Sequence, residues 1–468
     1  MKKLLTSFCF LFFALQVSAT DTARVLRTDD LFRMVLAHHP VAQQAALLSD
    51  AAKEELRIAK GFLDPKLQSD YNGKVLSGQE YFSMWDHSLS VPVWWGTDLK
   101  IGYENNAGQN VNPEDATPSK GLWYVGISVP LGQGLWIDER RNTIRQAQLL
   151  PAMAEAEKVK TINKLLFDAA KEYWDWYYFF HRQELLGDAY RLSAERFEAV
   201  KLRFLQGDVP AIDTLEALIA MQEREVLYSQ GKQDFENSRL RLSLYLWNSE
   251  GQPVELPASV VPGETIFIQQ LSSDSLQSLV NAARQFHPDL LKLDLKNEQL
   301  SIEEKYQRDQ LKPKANLRYN VLTKNPADLS DAGSQEYYTN NYKLGFSFSF
   351  PLFLRKERGK VRLTEIKQQQ TTLERDQRER SIVNEMASCH LNWLAYSEQI
   401  VVLEQQVRNA KLLRDAEEER FRNGESSFFL VNTRELSLIT AKIRLLEAQS
   451  KFQKNRAQLY WSAGMLQP

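Results

Sequence analysis

Two hydrophobic rhythms run through this chain, and each occurs twice. From about Trp136 to Gln206, and again from about Arg355 to Arg422, apolar residues recur at helical spacing among Glu, Arg, Gln and Lys. At 1.5 Å per residue each stretch predicts about 100 Å of helix, far beyond the usual globular length. Pro151 interrupts the first stretch early. Each ends in a glycine turn, Arg203-Phe204-Leu205-Gln206-Gly207 or Arg420-Phe421-Arg422-Asn423-Gly424. Beyond the turns, Ile212, Leu215, Ile219 and Val226, and likewise Leu436, Ile439, Ile443 and Leu446, fall at heptad-compatible spacing. The pattern predicts two long antiparallel coiled-coil hairpins. A hairpin this thin buries too little surface to stand alone, so association is expected.

The second rhythm has a period of two. Lys66–Lys74, Tyr81–Val93, Leu99–Asn105 and Leu122–Pro130 alternate or carry strand formers. Asn72-Gly73, Gly78, Trp94-Trp95-Gly96 and the polar stretch 105–121 divide them. A later region holds strands at Ala315–Thr323 and Tyr337–Phe350, with a surface loop around Asn325-Pro326-Ala327-Asp328, Asp331 and Gly333. Tyr342, Leu344, Phe346, Phe348 and Phe350 alternate strictly with Lys343, Gly345, Ser347 and Ser349. Tyr124, Ile127 and Val129 do something similar beside Gly126 and Ser128. A face this aromatic must be buried, in a protein core or in lipid, and apolar-out, polar-in alternation is the pattern of a membrane barrel. The strands are too few to close a barrel. They are pooled from several copies, or they form a small soluble sheet.

Both rhythms belong to one duplicated plan. Ala37-His38-His39-Pro40 precedes Pro65 by the same interval that separates Gln285-Phe286-His287-Pro288 from Pro313. Ser128-Val129-Pro130-Leu131 and Ser349-Phe350-Pro351-Leu352 close the two strand regions, of which the first is longer by 27 residues. Trp176 and Trp393 stand equally far before the glycine turns. Each half reads as helix, strands, long helix, turn, long helix. The leading helices are Asp29–Gly61, capped by Thr28-Asp29-Asp30 and broken at Pro40, and Ser272–Leu311, capped by Ser273-Asp274-Ser275 and broken at Pro288. The expected divisions are 20–248 for the first repeat, 249–271 for a linker and 272–468 for the second. The linker region, Asn248–Gln270, contains Pro253, Pro257 and Pro262, yet Val254, Val260, Val261, Ile266, Phe267 and Ile268 make it apolar enough to lie against the helices.

Composition narrows the function. Lys2 and Lys3, the apolar run Leu4–Leu15 and the small residues Val17-Ser18-Ala19 form an export signal over 1–19. Elsewhere no apolar run is long enough for a membrane helix. A formal charge of −2 over 468 residues leaves no nucleic-acid footprint. With the leader removed, Cys389 is the one cysteine, so no intrachain disulfide forms; it reads as a small core residue. No phosphate loop, His-Glu-x-x-His, Gly-x-Ser-x-Gly or CxxC pair occurs, His38-His39 precedes a helix break, and Glu417-Glu418-Glu419 reads as a solvated helix face. No catalytic, cofactor-binding or metal-ligating residue is assigned, and no enzyme is expected.

The order of these features resembles the TolC family of outer-membrane efflux proteins. The resemblance covers nearly the whole mature chain. It rests on the export signal, the duplication, the Pro130-Leu131 and Pro351-Leu352 strand exits, and the two glycine turns with hydrophobic helices beyond. It implies a mainly α-helical fold with a membrane β-barrel portion: a homotrimer whose strands pool in one barrel in outer-membrane lipid and whose helices close into a periplasmic tube. It also implies a periplasmic adaptor and an inner-membrane pump as partners. Two strands from each half give four per chain and about twelve per trimer, with the extra strands of the first half expected as an extracellular or periplasmic elaboration.

By match, Gly207 and Gly424 are the periplasmic tip turns that meet the adaptor, flanked by Arg203, Arg420 and Arg422. A glycine also simply ends a helix, and the arginines also suit helix C-termini. The family's ring of aspartates after the inner turn is altered here. Glu425, Ser426, Ser427, Phe428, Phe429, Leu430 and Val431 follow Gly424, with Thr433 where a second acid belongs, while Asp213 and Glu216 match in the first half. The expected constriction is therefore hydrophobic, made by Phe428, Phe429 and Leu430, which equally suit a coiled-coil core. The aromatic run Tyr173–Phe180 predicts a helix segment buried all round at the equator. The function expected is a passive exit duct for small molecules or secreted proteins; the other reading is a periplasmic coiled-coil scaffold with a soluble sheet. Six His and seven Met weigh against a dedicated copper or silver route.

Overall fold

The computed structural model describes residues 24–263, 266, 271–325 and 339–466. The export signal, the linker residues 264, 265 and 267–270, the loop 326–338 and the start of the strand placed from Tyr337 lie outside the described residues.

Each half begins with a helix broken at a His-Pro step. Helix α1 (Thr28–His38) gives way to α2 (Pro40–Lys60), and α6 (Ser273–Phe286) to α7 (Pro288–Asp309). Proline suits the first helical position because its missing N–H is orphaned there anyway, and it forces the preceding residue out of helical geometry. That residue is histidine both times, and its Nδ1 accepts from a backbone N–H of the new helix, Val41 or Asp289, at 3.2 Å. The histidines are N-caps.

The long helices follow. Short α3 (Glu139–Ala147) leads to α4 (Leu150–Leu205), whose second residue is Pro151, and α4 pairs with α5 (Ala211–Ser243). In the second half α8 (Arg355–Arg422) pairs with α9 (Phe428–Ser462). The partners α5 and α9 cover only the tip-side portion of each long helix, while α2 packs on α4 and α7 on α8 toward the strands. The two hairpins touch through α4 and α9. Four helices thus cross most sections of the chain.

The heptad positions chosen from α5 are not its seam. Ile212, Leu215, Ile219 and Val226 are exposed, while Ala217, Ala220, Arg224, Gly231, Phe235, Ser238 and Leu242 are buried. Small residues let the backbones approach: a Cβ at Gly231 would lie 2.9 Å from Leu186. In α9 Ile439 is buried but Leu436 is exposed. The large apolar stripe of α5 therefore faces away from its own hairpin.

Two cores hold the equator. One gathers Leu31, Val35, Leu166, Tyr173, Trp174, Trp176, Tyr177, Phe235 and Leu242. The other gathers Ile382, Met386, Cys389, Trp393, Ile400, Phe452 and Leu459. The duplicated tryptophans anchor one core each. Of the aromatic run, Tyr178, Phe179 and Phe180 are only half-buried. The linker lies on the first core through Leu256, Val260 and Ile266, and its β6 (Val260–Pro262) pairs in parallel with β1 (Arg24–Leu26). Burial pushes the Cys389 thiol up to about 11, as befits an inert core residue.

Six strands form one curled antiparallel sheet: β2 (Lys66–Leu76), β3 (Gln79–Pro92), β4 (Asp98–Ala107), β5 (Leu122–Pro130), β7 (Lys314–Thr323) and β8 (Tyr342–Ser349), in the order β2-β3-β4-β5-β7-β8. This corrects the expectation of four strands. The extra pair is no elaboration outside the sheet, because β3 is hydrogen-bonded along β4 from Ser83–Ala107 to Pro92–Asp98. Ser77 and Gly78, with φ of 53° and 77°, make the tight β2–β3 turn that a right-twisted hairpin prefers.

Candidate functional site: a two-faced sheet on helical tips

Opposed residues of an antiparallel ladder share a face, so the register assigns every strand residue to one side. From β2 to β8 one face carries Leu67, Tyr71; Trp85, Leu89, Val91; Leu99, Ile101, Tyr103; Trp123, Val125, Ile127, Val129; Leu317, Tyr319, Val321; and Tyr342, Leu344, Phe346, Phe348. The other face carries Gln68, Asp70; Asp86, Ser88; Lys100, Glu104; Gly126, Ser128; Asn316, Arg318, Asn320; and Lys343, Ser347. The apolar face is uncovered: Phe346 and Phe348 are each 62% exposed, and Tyr342, Leu344 and Phe350 are exposed beside them. Among the described residues no helix is long and apolar enough to cross a membrane.

Aromatic rings form a row on the apolar face toward the end of the sheet remote from the helices. Tyr71 meets Trp85 at 4.6 Å, Trp85 meets His87 at 5.5 Å, His87 meets Tyr103 at 6.4 Å and Tyr103 meets Trp123 at 5.0 Å. Tyr319 stacks on Tyr342 at 5.8 Å. At the helix end Trp94, Trp95, Trp136 and Phe353 are exposed. Two aromatic belts flanking an apolar band is the outer surface of a membrane barrel.

Tyr124, grouped in the sequence with Ile127 and Val129, lies on the opposite, polar face. Its ring crosses Gly102, where a Cβ would come within 2.2 Å of it, and its hydroxyl donates to Asp86 at 3.1 Å. That link ties β5 to β3 across β4. At the helix end Arg140 pairs with Asp98 at 2.7 Å, and Gly134 donates its N–H to Asp309 at 2.7 Å, fixing the strands to α3 and α7.

At the far end of the helices both glycine turns close the same way. Gly207 and Gly424 have φ of 84° and 78°. Gly207 N–H donates to Phe204 and Asp208 N–H to Arg203; Gly424 donates to Phe421 and Glu425 to Arg420. These paired bonds satisfy the last carbonyls of each helix, and the left-handed residue that they need is glycine. Arg203 is exposed, Arg420 reaches Glu417 at 3.7 Å and Arg422 reaches Glu418 at 2.9 Å. Asp213 and Glu216 are half-buried at the start of α5.

Phe428 is buried with Val200, Ala217 and Ala220, so it joins the two hairpins in the chain's own tip core. Phe429 and Leu430 are 60% and 38% exposed. Glu417, read as solvated, is instead 6% exposed; it accepts from Ser426 at 2.5 Å and lies 3.9 Å from Arg434. Sequence reasoning also missed the buried polar links between hairpins. Arg196 pairs with Glu435, and Arg224 donates to Asn432 at 2.6 Å. Arg224 occupies the same three-four spacing as Ala217 and Ala220, and that seam was the available signal. No cluster of three or more potential metal ligands occurs among the described residues.

An uncovered two-faced sheet on long helical hairpins is an architecture this chain shares with solved outer-membrane channels. Residues 279–465 carry the outer membrane efflux protein domain, and the fold is that of the TolC-family channels. The outer membrane channel CmeC of Campylobacter jejuni superposes with TM-score 0.66 at 14% identity, over 93% of this chain and 85% of that one. The open-state MtrE channel of Neisseria gonorrhoeae gives 0.68 at 17%, over 94% and 89%. The outer membrane protein VceC of Vibrio cholerae gives 0.65 at 17%, over 94% and 96%. No curated protein matches the chain by sequence.

Proposed function

We propose that three copies of this chain form a passive exit duct across the outer membrane, fed by an inner-membrane pump through a periplasmic adaptor. The observation that carries this reading is the uncovered apolar face of a sheet whose outer edges, on β2 and β8, have no partner among the described residues. Lipid cannot satisfy free strand edges, so such a sheet must close with other copies. The exposed stripe Ile212, Leu215, Ile219 and Val226 offers the helices a matching face between copies. The family domain and the likeness to outer-membrane channels support the same placement.

In this arrangement the chain does no chemistry, and energy comes from the pump. Tip turns Gly207 and Gly424, with Arg203, Arg420 and Arg422, meet the adaptor. Phe429 and Leu430 narrow the axis, with Asp213 and Glu216 near the first turn. Small molecules and secreted polypeptides are both compatible with such a duct. Purified protein in planar bilayers is expected to pass ions without nucleotide, and Phe429→Ala with Leu430→Ala to raise conductance several-fold. Protein that forms no pore contradicts the duct, and an unchanged conductance in the variant removes the hydrophobic constriction.

A further inference from the structure

The β2–β3 hairpin sits at the edge of the sheet, where one copy meets the next. It gives the first half four strands between α2 and α3, against two between α7 and α8 among the described residues. With it, both sides of β4 are occupied, by β3 and by β5. The neighbouring copy's β8 can reach only β2. The hairpin is also built as barrel wall. It continues the apolar face through Leu67, Tyr71, Trp85, Leu89 and Val91 and the polar face through Asp70, Asp86 and Ser88. It enters the aromatic row at Tyr71 and Trp85. On the polar side the Tyr124–Asp86 bond holds it, and Asp98, which ends its helix-side turn, is paired to Arg140.

We propose that the assembled barrel has eighteen strands, six from each copy, closed by antiparallel pairing of β8 with the β2 of a second copy. This rests on the trimeric duct reading. β2 runs away from the helices and β8 toward them, so the alternation of direction is unbroken around the ring. With strands about 4.8 Å apart and tilted about 40°, eighteen strands enclose a barrel about 36 Å across at the backbone, against about 24 Å for twelve. Twelve helices with axes about 10 Å apart make a ring about 38 Å across. The membrane pore is then about as wide as the tube below it, and its lining includes Asp86, Glu104, Lys100, Arg318 and Lys343. A wall of this width suits bulky cargo better than a narrow barrel does.

Disulfide trapping in native outer membranes tests the seam, in a Cys389→Ala background. One series places Gln68→Cys, Asp70→Cys or Asn72→Cys on β2 with Ser347→Cys on β8; the other places Lys100→Cys or Glu104→Cys on β4 with Ser347→Cys. All of these positions lie on the polar face, and the spread of β2 positions covers the unknown register. Covalent trimers are expected from at least one β2 pair and from no β4 pair. A β4–β8 bond, or a trimer by native mass that yields no β2–β8 bond, overturns the eighteen-strand wall while leaving the duct intact. Absence of any trimer by native mass fails the duct reading itself. The strand count of the unmodified trimer by electron cryomicroscopy tests the same seam without variants: eighteen supports it, twelve overturns it.

Discussion

The two His-Pro steps use one side chain to start a helix, and that use demands a neutral ring, because the capping Nδ1 accepts. Burial, with Arg378 and Lys160 nearby, pushes His287 down to about 4, against a partial pull from Asp289. The unfolded chain, with a histidine pKa near 6.5, takes up its proton first as pH falls. The native state therefore has its full advantage above about pH 6.5 and loses it toward pH 4, at about 1.4 kcal/mol per unit separating the two values. His287→Asn keeps a capping acceptor that does not titrate. Its urea midpoint is expected to vary less than wild type between pH 7 and 4; an unchanged pH slope contradicts this account. At the tips, Gly207→Ala and Gly424→Ala add a Cβ that meets nothing within 4 Å. The cost is backbone strain alone, about 1 kcal/mol each. Faster amide exchange confined to the flanking turns is the expected result, and unaltered exchange there denies the strain.

Between elements, the tip depends on charges placed where apolar residues would ordinarily sit. Arg196→Ala strands Glu435, which is buried, and is expected to destabilise the tip by about 3 kcal/mol or more. Arg196→Met with Glu435→Leu should recover most of that loss. Protease cleavage near the glycine turns reads both effects, and equal resistance of wild type and Arg196→Ala would show that the pair holds nothing. These residues also mark where the sequence misleads. Glu417 sits in a run of three acids, and charge runs usually face water; its burial follows from Ser426, Arg420 and Arg434 folding back over it. In α5 Ile212, Leu215, Ile219 and Val226 dominate the pattern because they are large, whereas Ala217, Ala220, Arg224, Gly231 and Ser238, which carry little hydrophobic signal, make most of the seam, with Phe235 and Leu242 its only large apolar members among the buried residues. By contrast the long helices, the His-Pro breaks and the glycine turns were legible, since proline and glycine act through their own backbones. The strands were legible because a two-faced wall enforces period two. Tyr124 was misplaced because size hid its parity, and its ring fills the space over Gly102.

For the whole molecule, duplication announced the plan but hid the strand count. Two repeats suggest equal halves, and only hydrogen bonding shows that the added hairpin joins the wall at its edge. Among the described residues the chain is then an unfinished object: an apolar sheet face without cover, two strand edges without partners, and an exposed apolar stripe along α5. The proposed closure with further copies would satisfy all three together. The most direct measurement is the native mass of the protein extracted by mild detergent from purified outer membranes. The account predicts three chains per particle, found in that fraction alone. A monomer or dimer released into the soluble periplasm, with no membrane-bound trimer, would contradict it.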